Sequence, residues 1–305
     1  MKKIIFSLIV ICLTFVSGCN DNSSKSNIEG KVKVTVTIGQ IGDAVKNIGG
    51  DKVEVSTLMG PGVDPHLYKA TQSDMKKIHD ADIVFYNGLH LEGKMLDALS
   101  QLKKTKVVYA IAETVNDHSL LKTEEKTIDP HIWFDIQLWK EALQSVVKGL
   151  MEVDPENKEY YEEQAENYFK QLDDLYNFST EKMDSIPEQK RILITAHDAF
   201  GYFGNAYGLE VMGLQGLSTD SEYGLADIKR IVDTLVERKI QTVFVETSVN
   251  DKSIQAVIEG AKSRNHEVKI GGELFSDAMG EEGTEEGTYI GMYKHNIQVI
   301  YDGLK

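Results

Sequence analysis

Short β-branched runs alternate with amphipathic stretches along the first half of the chain. Val32–Ile38, Lys52–Leu58, Asp82–Tyr86 and Lys106–Ala110 read as strands, with helices predicted over Gln40–Ile48, Thr71–His79 and Glu92–Leu102. Thr71-Gln-Ser-Asp74 has the spacing of a capping box. A βαβα order predicts a parallel sheet with helices on both faces. A second block follows Pro187. Its strands are Arg191–Thr195, Glu210–Leu214, Thr242–Glu246 and Glu267–Ile270, with helices at Asp227–Val236 and Ser253–Lys262 and a closing helix at Tyr289–Leu304. No sequence repeat relates the blocks, but the order of their elements does.

A long helical pattern separates them. Apolar residues fall at Tyr161, Ala165, Tyr168, Leu172 and Leu175, alternating by four and three. Asp154 and Pro155 give a start signal, and Ser185-Ile186-Pro187 a stop. About thirty residues at about 1.5 Å each reach roughly 45 Å, enough for one helix to brace two lobes. The predicted fold class is therefore α/β: two parallel-sheet lobes joined by one long helix, with a cleft between them. The expected boundaries are a leader at 1–19, a tether at 20–31, a first lobe at 32–153, a linking helix at 154–186 and a second lobe at 187–305.

The leader has a basic start, Met1-Lys2-Lys3, and an apolar run from Ile4 to Val16 that is too short to span a bilayer. Val16-Ser17-Gly18-Cys19 resembles the lipobox of bacterial lipoproteins, in which the cysteine is acylated and becomes the first mature residue. That resemblance implies a domain anchored through lipid, palmitate-type chains included, on the extracytoplasmic face of a membrane. The other cysteine, Cys12, lies in the leader, so the mature chain has no internal disulfide and no thiolate site for zinc. Loss of Lys2 and Lys3 takes the formal charge from −15 to −17. Such a surface disfavours nucleic acid and helps keep an exported protein soluble.

Candidate chemistry centres on a repeated triplet. The chain has five prolines and eight histidines, and spends two of each on Asp64-Pro65-His66 and Asp129-Pro130-His131. Proline fixes its own φ and pushes the preceding residue out of the helical region, so each imidazole is presented from a stiff turn. Transition metals are common ligands of a neutral imidazole presented in this way. In open α/β sheets, ligands bind beyond the carboxyl ends of the strands. His66 and His131 follow strands of the first block, His197 ends a strand of the second, and Asp277 follows its last strand. Facing sheet edges would put three imidazoles and one carboxylate around one ion. Taken singly, each has a plainer reading, a loop or cap hydrogen bond; the repeated triplet favours the metal. Glu246, closing the Thr242 strand, could accept the free N–H of a ligating imidazole, or simply serve a helix N-terminus. His90 could line the cleft mouth. His79 reads as a solvated helix residue, His118 and His266 as loop or turn residues, and His295 as part of the closing helix.

Five segments carry a family resemblance: Gly60-Pro-Gly-Val-Asp-Pro-His-Leu-Tyr-Lys-Ala-Thr-Gln72, Asp129-Pro-His-Ile-Trp133, Thr195-Ala-His-Asp-Ala-Phe200, Gly213-Leu-Gln-Gly-Leu-Ser-Thr-Asp220 and Ser276-Asp-Ala-Met-Gly280. They resemble the metal-binding lipoproteins of bacterial ABC uptake systems, most of all the manganese-type members. The resemblance runs from the leader to Lys305. It implies a monomeric receptor, not an enzyme, that holds one Mn²⁺ through His66, His131, His197 and Asp277. It also implies partners, the permease and ATPase subunits of an importer. Zn²⁺ or Fe²⁺ are the alternative cargoes. The stretch Glu113–Asp129 holds one histidine, His118, and so lacks the His-rich loop usual in zinc-specialised members. Some manganese members instead carry Glu where His197 stands, and three imidazoles suit zinc. A more remote reading, a metal-dependent extracellular hydrolase, finds no His-Glu-x-x-His and no nucleophile elbow.

Overall fold

The computed structural model describes residues 30–305. The leader, Cys19 and most of the tether fall outside the described residues. The first lobe is built on β1 (Val32–Val36), β2 (Val53–Thr57), β3 (Ile83–Tyr86) and β4 (Val107–Ala110). They form one parallel sheet in the order β2-β1-β3-β4. The chain leaves β1 in one direction and β3 in the other, so the loops after these strands flank the crevice at the switch point. Helices α1 (Gly39–Gly49) and α4 (Ile136–Val153) pack together on one side of the sheet, while α2 (Gln72–Asp80) and α3 (Leu96–Leu102) contact its β1 and β4 strands. Thr71 and Asp74 close the capping box expected at the start of α2. Asp135 caps α4 by accepting from the N–H groups of Gln137 and Leu138. Helix α4 crosses close to β3 at Gly149, where a Cβ would stand 2.8 Å from Ile83 Cδ1 and the Phe85 ring.

The second lobe repeats the plan. Strands β5 (Ile192–His197) and β6 (Glu210–Gln215) pair in parallel, as do β7 (Thr242–Glu246) and β8 (Lys269–Leu274). Strand β5 lies alongside β7, so the spatial order matches that of the first sheet. Helices α7 (Leu225–Glu237) and α8 (Lys252–Ser263) pack together over these strands, and α6 (Gly201–Tyr207) and α9 (Tyr289–Leu304) pack on β6 and β8. The long helix α5 (Lys158–Asp184) touches α1 and α4 of the first lobe and α6 and α9 of the second. Its 27 residues reach about 40 Å. It buries Tyr161, Ala165, Tyr168, Leu172 and Leu175, the residues of the sequence pattern.

The core is not divided between the lobes. One continuous apolar cluster takes in the first lobe, α5, α6 and α9, while a separate cluster fills the space beneath α7 and α8. The lobes meet across an aromatic layer. Phe134 stacks obliquely on Phe200 at 4.4 Å, Trp139 stacks on Tyr289 at 5.7 Å, and Phe203 meets Tyr207 edge-on at 4.8 Å. The tyrosine hydroxyls in this layer are satisfied across the boundary, Tyr289 donating to the Trp133 carbonyl at 2.6 Å and Tyr293 to that of Phe134 at 2.7 Å.

Several elements differ from the sequence reading for physical reasons. Asp154 does not cap the long helix. Its carboxylate accepts from Asn157 and from the Tyr161 hydroxyl, and Pro155–Asn157 form a 3₁₀ turn before α5 begins. Strand β8 runs on to Leu274, well past Ile270, through two glycines that hide it from pattern reading. A Cβ on Gly271 would meet Thr242 Cγ2 at 2.4 Å, and one on Gly272 would meet Val299 Cγ1 at 2.5 Å. Helix α6 went unread because it has only seven residues, ended by Gly208 in the left-handed region at φ 67°.

The helix expected from Glu92 instead starts at Leu96, after a 3₁₀ turn at Gly93–Met95. Glu92 is wholly buried, and its carboxylate accepts from the Thr37 hydroxyl (2.7 Å) and the backbone N–H groups of Asn87 (2.7 Å) and Gly88 (3.1 Å). It thereby ties the loop after β3 to the loop after β1 across the switch point. Removing it would leave three buried donors without their acceptor. Glu92→Ala is expected to lower stability by about 2–4 kcal/mol, measurable as a shifted urea midpoint; an unchanged midpoint would refute this role.

Candidate metal centre

Four side chains meet at the facing ends of the two sheets. His66, His131, His197 and Asp277 each offer one ligand atom, all within 4.8 Å of one another, and all four residues are buried. His66 comes from the loop after β2, His131 from the long loop after β4, His197 is the last residue of β5, and Asp277 follows β8. The Nε2 atoms of His66 and His131 are 3.3 Å apart. Asp277 Oδ2 lies 3.5 Å from Nε2 of both His66 and His197, and its Oδ1 lies 3.4 Å from His131 Nε2. Donors about 2.1 Å from one ion in a tetrahedron stand about 3.4 Å apart. The four separations therefore suit a single small cation.

Two of the three imidazoles are backed at Nδ1, those of His131 and His197, while His66 is fixed through its backbone and its Nδ1 is buried without a partner among the described residues. In both triplets the aspartate folds back over its proline. Asp64 Oδ1 accepts from the His66 backbone N–H and Asp129 Oδ1 from that of His131, each at 2.9 Å. Asp129 Oδ1 also takes His131 Nδ1 at 2.7 Å, which fixes the proton there and leaves Nε2 free to face inward. Asp64 Oδ2 reaches the Thr219 hydroxyl of the second lobe at 2.5 Å. Glu246, at the end of β7, grips His197 twice, accepting from its backbone N–H at 2.8 Å and from Nδ1 at 2.5 Å. The proline signal located these turns, but the work of Asp64 and Asp129 went unread. Their place two residues before each histidine, where Asx turns form, is the signal that could have revealed it. His90 is exposed and sits at φ 67°, outside the cluster. The buried anchor of that loop is Glu92.

Apart from the close approach of the His66 and His131 Nε2 atoms to each other, the inward atoms are left without hydrogen-bond partners among the described residues. His197 Nε2 and both carboxylate oxygens of Asp277 are buried and have no hydrogen bond among the described residues. Unsatisfied buried polar atoms are costly, and a cation answers this set. Burial first, and the neighbouring imidazoles second, hold His66 at about 2; burial likewise keeps His131 well below its ordinary value. Burial also works to lower His197, but Glu246 and Asp277 outweigh it and raise the group to about 10. Burial pushes Asp277 up to about 7. Without a metal, Glu246 and Asp277 thus favour a proton on His197, where a cation's charge would otherwise sit.

Two α/β lobes closing on a buried cluster of imidazoles and carboxylate, braced by one long helix, define a metal-receptor architecture. The chain belongs to the ZnuA family, zinc-uptake complex component A, periplasmic, whose model matches residues 34–303. It is 48% identical over 306 residues to the manganese-binding lipoprotein MntA of Bacillus subtilis, covering all of both chains. It is 45% identical over 282 residues to the zinc-binding protein TroA of Treponema pallidum, covering 92% of each. The solved structure of that periplasmic zinc-binding TroA matches 90% of this chain and 99% of its own at a TM-score of 0.88 and 46% identity. The metal ABC transporter substrate-binding lipoprotein SsaB of Streptococcus sanguinis is 33% identical over 312 residues, covering 100% of this chain and 99% of SsaB.

The His197 proton gives a test. A group held above its unfolded value stabilises the fold fully below that value, and the stabilisation is lost as pH rises towards the folded one. The metal-free protein should therefore lose the His197 contribution between about pH 6.5 and about 10. His66 and His131, held neutral, act in the opposite sense and weaken the fold as pH falls below about 6.5. An ion binding at pH 8–9, above the Asp277 value of about 7, should expel the His197 Nε2 proton, close to one per ion, and Glu246→Gln should reduce that number. Titration calorimetry in buffers of different ionisation enthalpy counts the protons, and a count near zero in the unaltered protein would contradict the assignment.

Proposed function

We propose that this chain is an extracytoplasmic receptor that captures one divalent transition-metal ion, Mn²⁺ foremost, through His66, His131, His197 and Asp277, and passes it to the permease of an ABC importer. The observation that carries the reading is the set of four buried donors at ion-sized separations whose inward atoms have no other partner among the described residues. The names of relatives add the transport context, since SsaB is called an ABC transporter substrate-binding lipoprotein and MntA a manganese-binding one. Lipid attachment at Cys19, a monomeric state and an energising ATPase partner belong to the same proposal.

Manganese is favoured over zinc by the carboxylate. Both oxygens of Asp277 face imidazoles and both lack hydrogen bonds, so the group can supply two oxygens to one ion. Three nitrogens and two oxygens make a harder and larger coordination set than zinc's usual four. The three imidazoles pull towards zinc, which outranks manganese in intrinsic affinity, so selection rests on geometry and metal supply. Hydrolysis is disfavoured because Glu246, the carboxylate best placed to act as a base, is already engaged twice by His197.

Stripping the protein with chelator and titrating Mn²⁺ and Zn²⁺, alone and in competition, tests the reading. The expected result is one ion per chain with a rise in melting temperature for either metal. Asp277→Ala should weaken binding by more than the about 10–100-fold typical of losing an outer partner, and an unchanged stoichiometry and melting shift would defeat the ligand assignment. His197→Glu should raise the preference for Mn²⁺ over Zn²⁺, because it replaces a nitrogen donor with a harder oxygen; competition binding reports the direction.

A further inference from the structure

The loop that carries Asp277 is shared between the lobes at Ser276, whose Oγ lies 3.0 Å from Ser248 Oγ of the second lobe. Phe275 still belongs to the second lobe, its N–H bonded to Asn296 Oδ1 at 2.9 Å and its carbonyl to Asn296 Nδ2 at 2.7 Å. The next carbonyl, that of Ser276, accepts two hydrogen bonds from the first lobe, one from Gln40 Nε2 at 3.3 Å and one from Trp133 Nε1 at 3.2 Å. Gln40, Trp133 and Ser276 are all fully buried. Gln40 lies in the first turn of α1, beside the switch point of the first sheet. Trp133 stands edge-on to the His131 imidazole, with ring centroids 5.3 Å apart. Beyond Asp277, Ala278, Met279 and Gly280 border a cleft beside α1, so the loop has open space on that side.

We propose that Gln40 and Trp133 are positioning residues for Asp277, a latch between the lobes that sets how long the bound ion is held. This rests on the reading of Asp277 as a ligand. Both donors act on the carbonyl one residue before the carboxylate, and neither touches the ion. They can hold the loop only while the first lobe is closed against it. Losing them therefore frees the carboxylate to leave the ion and does not hinder the ion's arrival. The effect falls on release, where most affinity differences between related complexes lie. The exposed Lys46–Glu282 pair, 2.5 Å apart farther along the same loop, is a solvated surface contact and contributes little to the hold.

The test times the release and capture of Mn²⁺ by the full chain, using a fluorescent chelator in stopped flow. Gln40→Leu and Trp133→Phe each remove the donor and keep most of the shape. Each should speed release roughly five- to tenfold, the worth of one buried neutral hydrogen bond, with capture unchanged. In an Asp277→Ala background the same substitutions should change release by less than about twofold, because they act through the missing carboxylate. If that background holds Mn²⁺ too briefly to time, the cycle is read in Zn²⁺ affinities by the same criterion. Acceleration that persists without Asp277, or release at the unaltered rate in both single variants, overturns the latch. An unaltered chain that binds neither Mn²⁺ nor Zn²⁺ overturns the receptor reading instead.

Discussion

A buried carboxylate with no donor to satisfy it sets the terms for the rest of this molecule. Asp277 has both oxygens enclosed and without hydrogen bonds among the described residues, in surroundings that oppose its ionisation. Leaving such a group bare is among the more costly arrangements a fold can hold. Two of the three imidazoles around it are directed from behind, His131 by Asp129 and His197 by Glu246, and the turn that carries His66 is fixed by Asp64 at its backbone. The polar frame is therefore built to present free nitrogen and oxygen to a space the size of one ion. In the metal-free protein Glu246 and Asp277 favour a charged His197, which would offset part of the cost. A single cation would replace that proton and satisfy the remaining atoms together.

Such a site works only if its halves do not drift. Two of the four candidate donors come from each lobe, and displacements of a fraction of an ångström would change which ion fits. The shared core meets this requirement. Because α5, α6 and α9 belong to the same apolar cluster as the first lobe, wide separation of the lobes would expose the Phe134–Phe200 and Trp139–Tyr289 contacts to water. That expense opposes a large hinge motion and leaves loop movement as the cheaper route for an ion to leave. The Asp277 loop, bordered by a cleft and held across the boundary through the Ser276 carbonyl, is placed for such movement.

The sequence was most legible where one residue type leaves a strong local trace. Pro65 and Pro130 stiffen their turns whatever surrounds them, so the two triplets stood out along the chain. The alternation of strands with amphipathic helices follows from backbone periodicity and holds in the structure apart from α6, the start of α3 and the end of β8, while the four-three spacing from Tyr161 to Leu175 appears unchanged. Residues whose role depends on distant partners stayed hidden. Glu92 looks like the start of a helix until Thr37, Asn87 and Gly88 are brought to it. Gly271 and Gly272 weaken a strand signal for the sake of side chains on β7 and α9. Gln40 reads as one more polar residue at the head of a helix.

The amino-acid sequence by itself determined the α/β class, the two-block plan with its bracing helix and the types of donor available, because these depend on short-range sterics, periodicity and side-chain chemistry. Tertiary structure alone decided the ion-sized spacing of the four donors, the carboxylate surroundings that raise His197, the reach of the larger apolar cluster from the first lobe through α5 into α6 and α9, and the capture of the Ser276 carbonyl by Gln40 and Trp133. Each of these needs groups far apart in the chain to be buried together, and the energy of a buried charge or hydrogen bond is fixed by that enclosure and not by the residue's name.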